Sequence, residues 1–567
     1  MNRTRRRALS LLAAGAVSVL VGGLLVGPGA VAASAKAKAG PTVLYVGTFH
    51  GVATPASSTY SSIQAAVDAA TKGDWILIAP GDYHETGDMG SHTPTAAQVT
   101  EGWYGGVDVT TSDLHLRGMQ RDAVVVDGTK VGASMCSSNP ADQNSLGGKG
   151  RNGILVWKAK GVSVDNLTVC NFINGTGNGG NEIWWNGGDG SGKVGLKGYS
   201  GSYLTATSTY FDNDDPSDPS ACSTCALYGI FSSNSSGGSW TQVYANNFSD
   251  SGMYVGACHR VCNVTISNAW MEDNALGYSG TNSGGKVVIE DSTFDNNREG
   301  VDTNTALTGD PPPPQDGLCP GKAINPLTHT DSCWTFVDNT VDDNNNANVP
   351  VEGTAGLGPT GTGMTVSGGR DDTVENNRFS GNEAWGILFV PYPDGSLVSD
   401  RKTCQRTGGV VATSLGIKPV ACLFDPEGDS LKNNEFSGNG TLGNPSNADY
   451  GNLLAGGHEP ENCFSGNTEW TAGFGAETGP AVGADPSLSP TSCGAKTPKA
   501  ALLGINTDGE LLAQAECDAG LLVSCSGADY PQPTSVTMEP VPALPTMPNP
   551  CVGVPANLWC PGGEPAH

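Results

Sequence analysis

Met271 and Phe294 stand 23 residues apart, and Phe248 stands the same distance before Met271. Around each marker the text repeats: an alternating apolar run, one or two Asn, an aromatic or aliphatic residue, a polar turn, then Gly followed by an apolar residue. Val243 to Phe248 with Gly252-Met253, Val264 to Met271 with Gly277, Val287 to Phe294 with Gly300-Val301, and Val374 to Phe379 with Gly386-Ile387 are instances. A unit this short cannot bury its inner face alone, so neighbouring units must stack. Helical repeats are longer and place apolar residues at helical spacing, and a propeller blade takes roughly 40 to 45 residues. What remains is one β-helical coil per repeat. Asn247, Asn274 and Asn297 are expected to hydrogen-bond from coil to coil as a ladder.

The start of the repeats has its own punctuation. VLYVGTF at 43–49 reads as a strand. Ser61 and Gln64 have capping-box spacing, and Ile63, Ala66, Val67 and Ala70 follow the helical apolar period, so a short amphipathic helix is expected there. WILIAPGDYHE at 75–85 is a strand ended by a Pro-Gly turn. A helix laid over the first exposed coil is the kind of cap a solenoid needs.

The segment YSSIQAAVDAATKGDWILIAPGDYHE, followed by the Asn/Gly coils, resembles the right-handed parallel β-helix superfamily, which includes pectate lyases, polygalacturonases, pectin methylesterases, alginate lyases and epimerases. The resemblance covers 43 to about 470. It implies an all-β fold, a right-handed parallel β-helix solenoid with a short N-terminal capping helix, and a function on polysaccharide. The chain departs from two members. Asn506-Thr507-Asp508 is the sole NTD triplet, it lies beyond the repeats, and no GHG follows; the GxDF-type aspartate of the esterases is missing too. Lyase or epimerase chemistry is therefore the expectation, with a non-catalytic glycan-binding or cell-envelope module as the alternative.

Marker spacings longer than one coil locate insertions: Phe294 to Val341 is 47, Val341 to Phe379 is 38 and Phe379 to Phe436 is 57. The extra residues fall at 213–227, 306–333, 345–361 and 392–423, on both sides of the Gly-plus-apolar strand, so loops should wall its outer face into a groove. If the residue after Gly points inward, the next points outward. The outward stripe then reads Phe231, Tyr254, Ser279, Asp302, Thr365 and Leu388, with Trp184 or Trp185 at one end.

Trp184, Trp185, Phe231 and Tyr254 are the candidate substrate-binding residues, because aromatic faces suit sugar rings; the competing reading packs them under the loops. Asp302, with Arg298 and Glu299 beside it in REGVD, is the candidate catalytic cluster. A lyase needs a base near the C5 proton and a cation on the uronate, whereas a hydrolase needs two carboxyls roughly 5 to 9.5 Å apart. Asp212, Asp214 and Asp215 form a carboxylate-dense loop at the groove's edge, with calcium the one cofactor it would suit. The competing reading there is a solvated acidic turn.

Composition bounds the partners. With 56 acidic against 29 basic residues and a formal charge of −27, nucleic acid and anionic lipid are excluded as natural partners. The basic MNRTRRR followed by an uncharged stretch to Ala35 reads as an export signal over 1–35, and Thr4-Arg5-Arg6 loosely fits a twin-arginine signal. An uncleaved membrane anchor is the alternative. The 16 cysteines agree with an oxidising destination, and close spacing suggests 222/225, 258/262, 319/333, 404/422, 517/525 and 551/560 as disulfides. A zinc site at Cys222, Cys225, Cys258 and Cys262 is the rival. The Gly/Ala/Pro-rich 471–567 reads as an irregular C-terminal cap or tail. The whole is expected to be an extracellular monomer that meets a polysaccharide or cell-surface glycan.

Overall fold

The computed structural model describes residues 41–467, apart from breaks at 87–103, 145–149, 176–178, 190, 192, 213–223, 259–260, 282, 305–332, 357, 395–400, 407–408, 415–417, 445–446 and 453–461, together with residues 530–563. The segment expected to be an export signal lies outside the described residues, as do Asp214 and Asp215.

Every pairing between coils is parallel and in register. One sheet has ten strands, running in order from Gly105–Val109 through Asn152–Trp157, Asn181–Asn186, Tyr228–Ser233, Ser251–Gly256, Leu276–Ser279, Glu299–Asn304, Thr362–Ser367 and Trp385–Val390 to Ala448–Asn452. A second sheet of 21 strands forms the rest of the wall. It comprises two faces, which merge where the long strands Val162–Cys170 and Leu196–Thr207 run through the corner. This is a parallel β-helix, and each coil buries one inner row against the next.

The inner rows show what sets the repeat. Ala245, Met271, Phe294, Val341, Phe379 and Phe436 pair one to the next and are all fully buried. The spacing from Met271 to Phe294 is therefore one coil, and the longer spacings after it are single coils lengthened by insertions. Phe248 is not in this row. It sits at the corner after the strand, and Ala245 takes the place expected for it, so that coil is 26 residues, not 23. On the ten-stranded sheet, Ile230, Met253, Tyr278, Val301, Met364 and Ile387 form the matching inner row.

The asparagine ladder exists, with a changed membership. Asn274, Asn297, Asn344, Asn382 and Asn439 link side chain to side chain, each Nδ2 donating to the next Oδ1 at 3.0 Å. Asn247 is outside it. Its Nδ2 donates instead to the carbonyls of Ser208 and Glu539. A second ladder, Asn339–Asn377–Asn434–Asn467, runs along another corner.

A helix spans Ile63–Ala69 with Ile63, Ala66 and Val67 buried in the core. Its N-cap is Ser62 rather than Ser61: the Ser62 hydroxyl accepts from the amide of Ala65. The Glu85 carboxylate, directly after the strand Gly81–His84, takes the amides of Ile63 and Gln64. Two kinds of oxygen thus satisfy the free donors of the first turn.

The described C-terminal residues run along the body from late coils to the first. Tyr530 packs on Trp385, Thr534 donates to Asn348, Glu539 to Asn247, and Thr546 to Asn166. Arg117 then donates to the Pro550 carbonyl, and Trp559 is fully buried against Tyr45 and Phe49. Having many prolines, the segment offers few donors of its own, so the body's side chains supply the contacts. Cys258–Cys262, Cys404–Cys422 and Cys551–Cys560 are disulfides, as their spacing suggested. Cys136–Cys170, 34 residues apart, is a further one.

Candidate functional site

The outward stripe falls into one register row. Leu155, Trp184, Phe231, Tyr254, Ser279, Asp302, Thr365 and Leu388 are consecutive cross-coil partners on the ten-stranded sheet. Trp184 rather than Trp185 belongs to it. Trp185 faces inward, fully buried against Tyr199 and Trp240, and is withdrawn as a candidate for sugar contact.

The aromatic end of the stripe is a packed stack. Trp184 and Phe231 lie ring on ring, centroids 5.0 Å apart and planes 5° apart, and Tyr254 meets Phe231 edge-on at 4.8 Å. Two residues that the sequence reading missed join them. Tyr228 stacks on Phe231 at 4.8 Å, and Trp157 packs beside Trp184 and Leu155. Trp184 is 5% exposed and Tyr254 9%, whereas Trp157, Tyr228 and Phe231 remain half-buried, so these three hold the reachable ring surface. The polar tips are held inside: Trp184 Nε1 donates to Ser233, Trp157 Nε1 to the Gly188 carbonyl, and the Tyr228 hydroxyl to Asp250 at 2.7 Å. Burial raises the Asp250 carboxyl to about 6.

Three coils beyond Phe231 the stripe turns acidic. Asp302 is half-exposed, and its carboxylate accepts from the hydroxyl of Ser367 at 3.3 Å. Glu299 is buried, with the hydroxyl of Thr365 donating to it. Burial first, and the nearby charge of Asp302 second, push the Glu299 carboxyl up, which favours its protonated form. Gly358, from the inserted 345–361 loop, lies over it: a Cβ there would stand 2.0 Å from a Glu299 carboxylate oxygen. Arg298 stands close enough to Glu299 for its charge to favour the ionised carboxylate. Its guanidinium donates to the carbonyls of Ala355 and Gly358 in the same loop, so it fastens the loop. The three residues expected to act together lie together: the charges of Asp302 and Arg298 both act on Glu299, and the Arg298 guanidinium also holds the loop.

At the expected calcium loop, Asp212 accepts from the Thr224 hydroxyl at 3.2 Å. Among the described residues, Asp82, His84 and Asp127 also come close. There His84 Nε2 faces Asp82 at 3.2 Å, its Nδ1 faces the Thr129 carbonyl at 3.2 Å, and Asp127 accepts two backbone amides. A further acidic feature lies on the 21-stranded sheet, where Glu272, Asp295 and Asp342 occupy successive coils in register. Such neighbours stand about 4.8 Å apart. Burial raises all three, with neighbouring acid charge adding to it.

No family model matches the chain, and no curated protein matches it. Among solved structures it is similar to the mannuronan C-5 epimerase AlgE4 A-module of Azotobacter vinelandii, at 14% identity and TM-score 0.39, over 71% of this chain and 89% of that one. It is likewise similar to the tailspike protein of Escherichia coli bacteriophage HK620, at 11% identity and TM-score 0.35, over 75% and 66%. Pectin methylesterase PemA of Erwinia chrysanthemi matches at 10% identity and TM-score 0.24, over 71% and 91%. The strand register given above, not these likenesses, establishes the β-helix of this chain.

Proposed function

We propose that the outer face of the ten-stranded sheet handles a polysaccharide laid along the helix axis, with lyase or epimerase chemistry at Asp302. The observation that carries this reading is the row itself, which puts half-exposed aromatic surface and a half-exposed carboxylate on one line. Three coils separate Phe231 from Asp302, about 14 Å at the usual strand spacing, which a few sugar rings span. Asp302 acts as the base. It removes the proton on C5 of a uronate; the electron pair left behind either forms the C4–C5 double bond as the C4–O bond breaks, the departing oxygen keeping that bond's pair and taking a proton from water, or takes a proton from water on the opposite face. Glu299, kept protonated below it, holds no charge that would compete for that proton.

Both reactions need a cation at the uronate carboxylate. That task would fall to Arg298, whose charge reaches the Glu299 and Asp302 cluster, or to a divalent cation such as calcium. The disulfides suit an oxidising compartment, which fits an exported protein meeting cell-surface or environmental glycan.

The second reading, a non-catalytic glycan-binding module, is favoured by one observation: the aromatic rings pack on each other and their polar tips are bonded inside, as in a structural stack. A panel of uronic-acid and neutral polysaccharides, with and without calcium, separates the two. Calcium-dependent unsaturated or epimerised product supports the catalytic reading. Binding without product on every member supports the module, and neither binding nor product removes both.

A further inference from the structure

The two asparagine ladders follow one rule. Each Oδ1 accepts from the backbone amide and the Nδ2 of the preceding rung, and each Nδ2 also donates to a backbone carbonyl three residues before that preceding rung. Asn377, for example, donates to the Phe336 carbonyl and to Asn434, and Asn382 to the Val341 carbonyl and to Asn439. A third ladder obeys the same geometry with different residues. The Trp334 amide donates to Asp372, the Asp372 amide to Asp429 at 2.8 Å, and the Asp429 amide to Asn462 at 2.9 Å. Asn462 Nδ2 then donates to the carbonyl of Pro426, three residues before Asp429, as the rule requires.

At Asp429 the position that an amide fills elsewhere holds Oδ2. By the rule, its neighbours are Asn462 Oδ1 and the carbonyl of Gly369, three residues before Asp372. Both are acceptors. Asp429 is fully buried, and Oδ2 has no hydrogen-bond partner. An ionised carboxylate there would face only oxygen, whereas one added proton restores the missing donor. We infer that Asp429 stands in this ladder as a neutral carboxylic acid, and that the Asp372–Asp429 pair is a proton-binding site coupling the last coils to pH.

The charged surroundings point the same way. Asp372, Asp371 and Glu427 act on Asp429 as acidic neighbours, on top of its burial, and together they hold its carboxyl well above the usual range. Asp425 and Arg370, the latter two residues before Asp372, are buried nearby. A group that binds its proton more tightly folded than unfolded contributes stability below the ordinary carboxylate value, and loses it as pH rises through the folded value. The rungs that lose it are Ser430–Lys432 and Cys463–Ser465.

Asp429→Asn replaces the proton by the amide of the other ladders. In hydrogen exchange at about pH 9, the amides of Leu431 and Phe464 are expected to exchange at least about tenfold more slowly in D429N than in the parent, with a much smaller difference at about pH 4. A ratio that is the same at both pH values, or faster exchange in D429N at both, overturns the inference. A measurement on the unchanged protein stands beside this, in case D429N does not fold. With aspartate labelled at the carboxyl carbon, one aspartate resonance is expected to keep its protonated shift at about pH 8. Ionised shifts for all aspartates there, as a bound cation in place of the proton would also give, overturn it.

Discussion

Thr365 donates its hydroxyl to the carboxylate of Glu299, one coil away, while its own row partner is Asp302. One threonine thus ties the buried acid of the groove to the row that carries the exposed one. Asp302→Asn is expected to keep the fold and to reduce turnover by about 10² or more, the usual contribution of a positioned base. Thr365→Val should leave Asp302 in place but free the Glu299 carboxyl, giving a smaller loss together with a shifted pH profile. Comparing kcat against pH for the two variants checks this.

Gly358 should not tolerate a side chain. A methyl group at 2.0 Å from the Glu299 carboxylate forces the loop or the acid to move. Gly358→Ala is expected to destabilise by about 1–3 kcal/mol, in the range of overpacking, with chemical denaturation as the measurement. Glu299→Ala in the same chain, which empties the space, should return part of that loss.

The acids of the wall should reverse the usual dependence of stability on pH. Burial raises Asp273 and Asp295 to about 7, with acidic neighbours adding to it, and raises Glu85 to about 7 against the backbone amides it accepts. These groups bind protons more tightly in the folded state, so stability is fullest below the ordinary carboxylate range and falls as pH rises from about 4 to about 8. Denaturation midpoints measured across this range are expected to decline with pH. A rise would mean that paired, depressed carboxylates dominate instead.

The C-terminal segment should act as a strap on the first coil. Trp559 is fully buried beside Tyr45 and Phe49, next to the Cys551–Cys560 disulfide. Trp559→Ala is expected to cost about 3–5 kcal/mol locally, as large core truncations do. Hydrogen exchange should show the loosening in Val43–Val46 and Trp75–Ile78 rather than in late coils.

How much of this was readable follows from which interactions are periodic. The spacing from Met271 to Phe294, the Gly-plus-apolar strand and the row from Phe231 to Leu388 could be read because stacking repeats the same side-chain environment coil after coil. Corners broke the pattern, since an apolar residue at a turn, such as Phe248, looks like one in a strand. Trp184 and Trp185 are adjacent and alternate faces, so only the register told which one is outside. Asn247 left its ladder for Glu539, 292 residues away, and Asn166 meets Thr546 across 380. No local signal encodes contacts of that range. The same holds for Gly358 over Glu299, and for Arg298 bonded to carbonyls of an inserted loop.

The central claim is that chemistry resides at Asp302, on the ten-stranded sheet, and not at the other acidic row. The comparison that tests it is kcat/KM of Asp302→Asn and Asp342→Asn beside the parent, on the polysaccharide for which the parent shows calcium-dependent product. The account predicts a loss of about 10² or more for Asp302→Asn and a change of less than about twofold for Asp342→Asn. Full activity in Asp302→Asn, or a loss confined to Asp342→Asn, would contradict it.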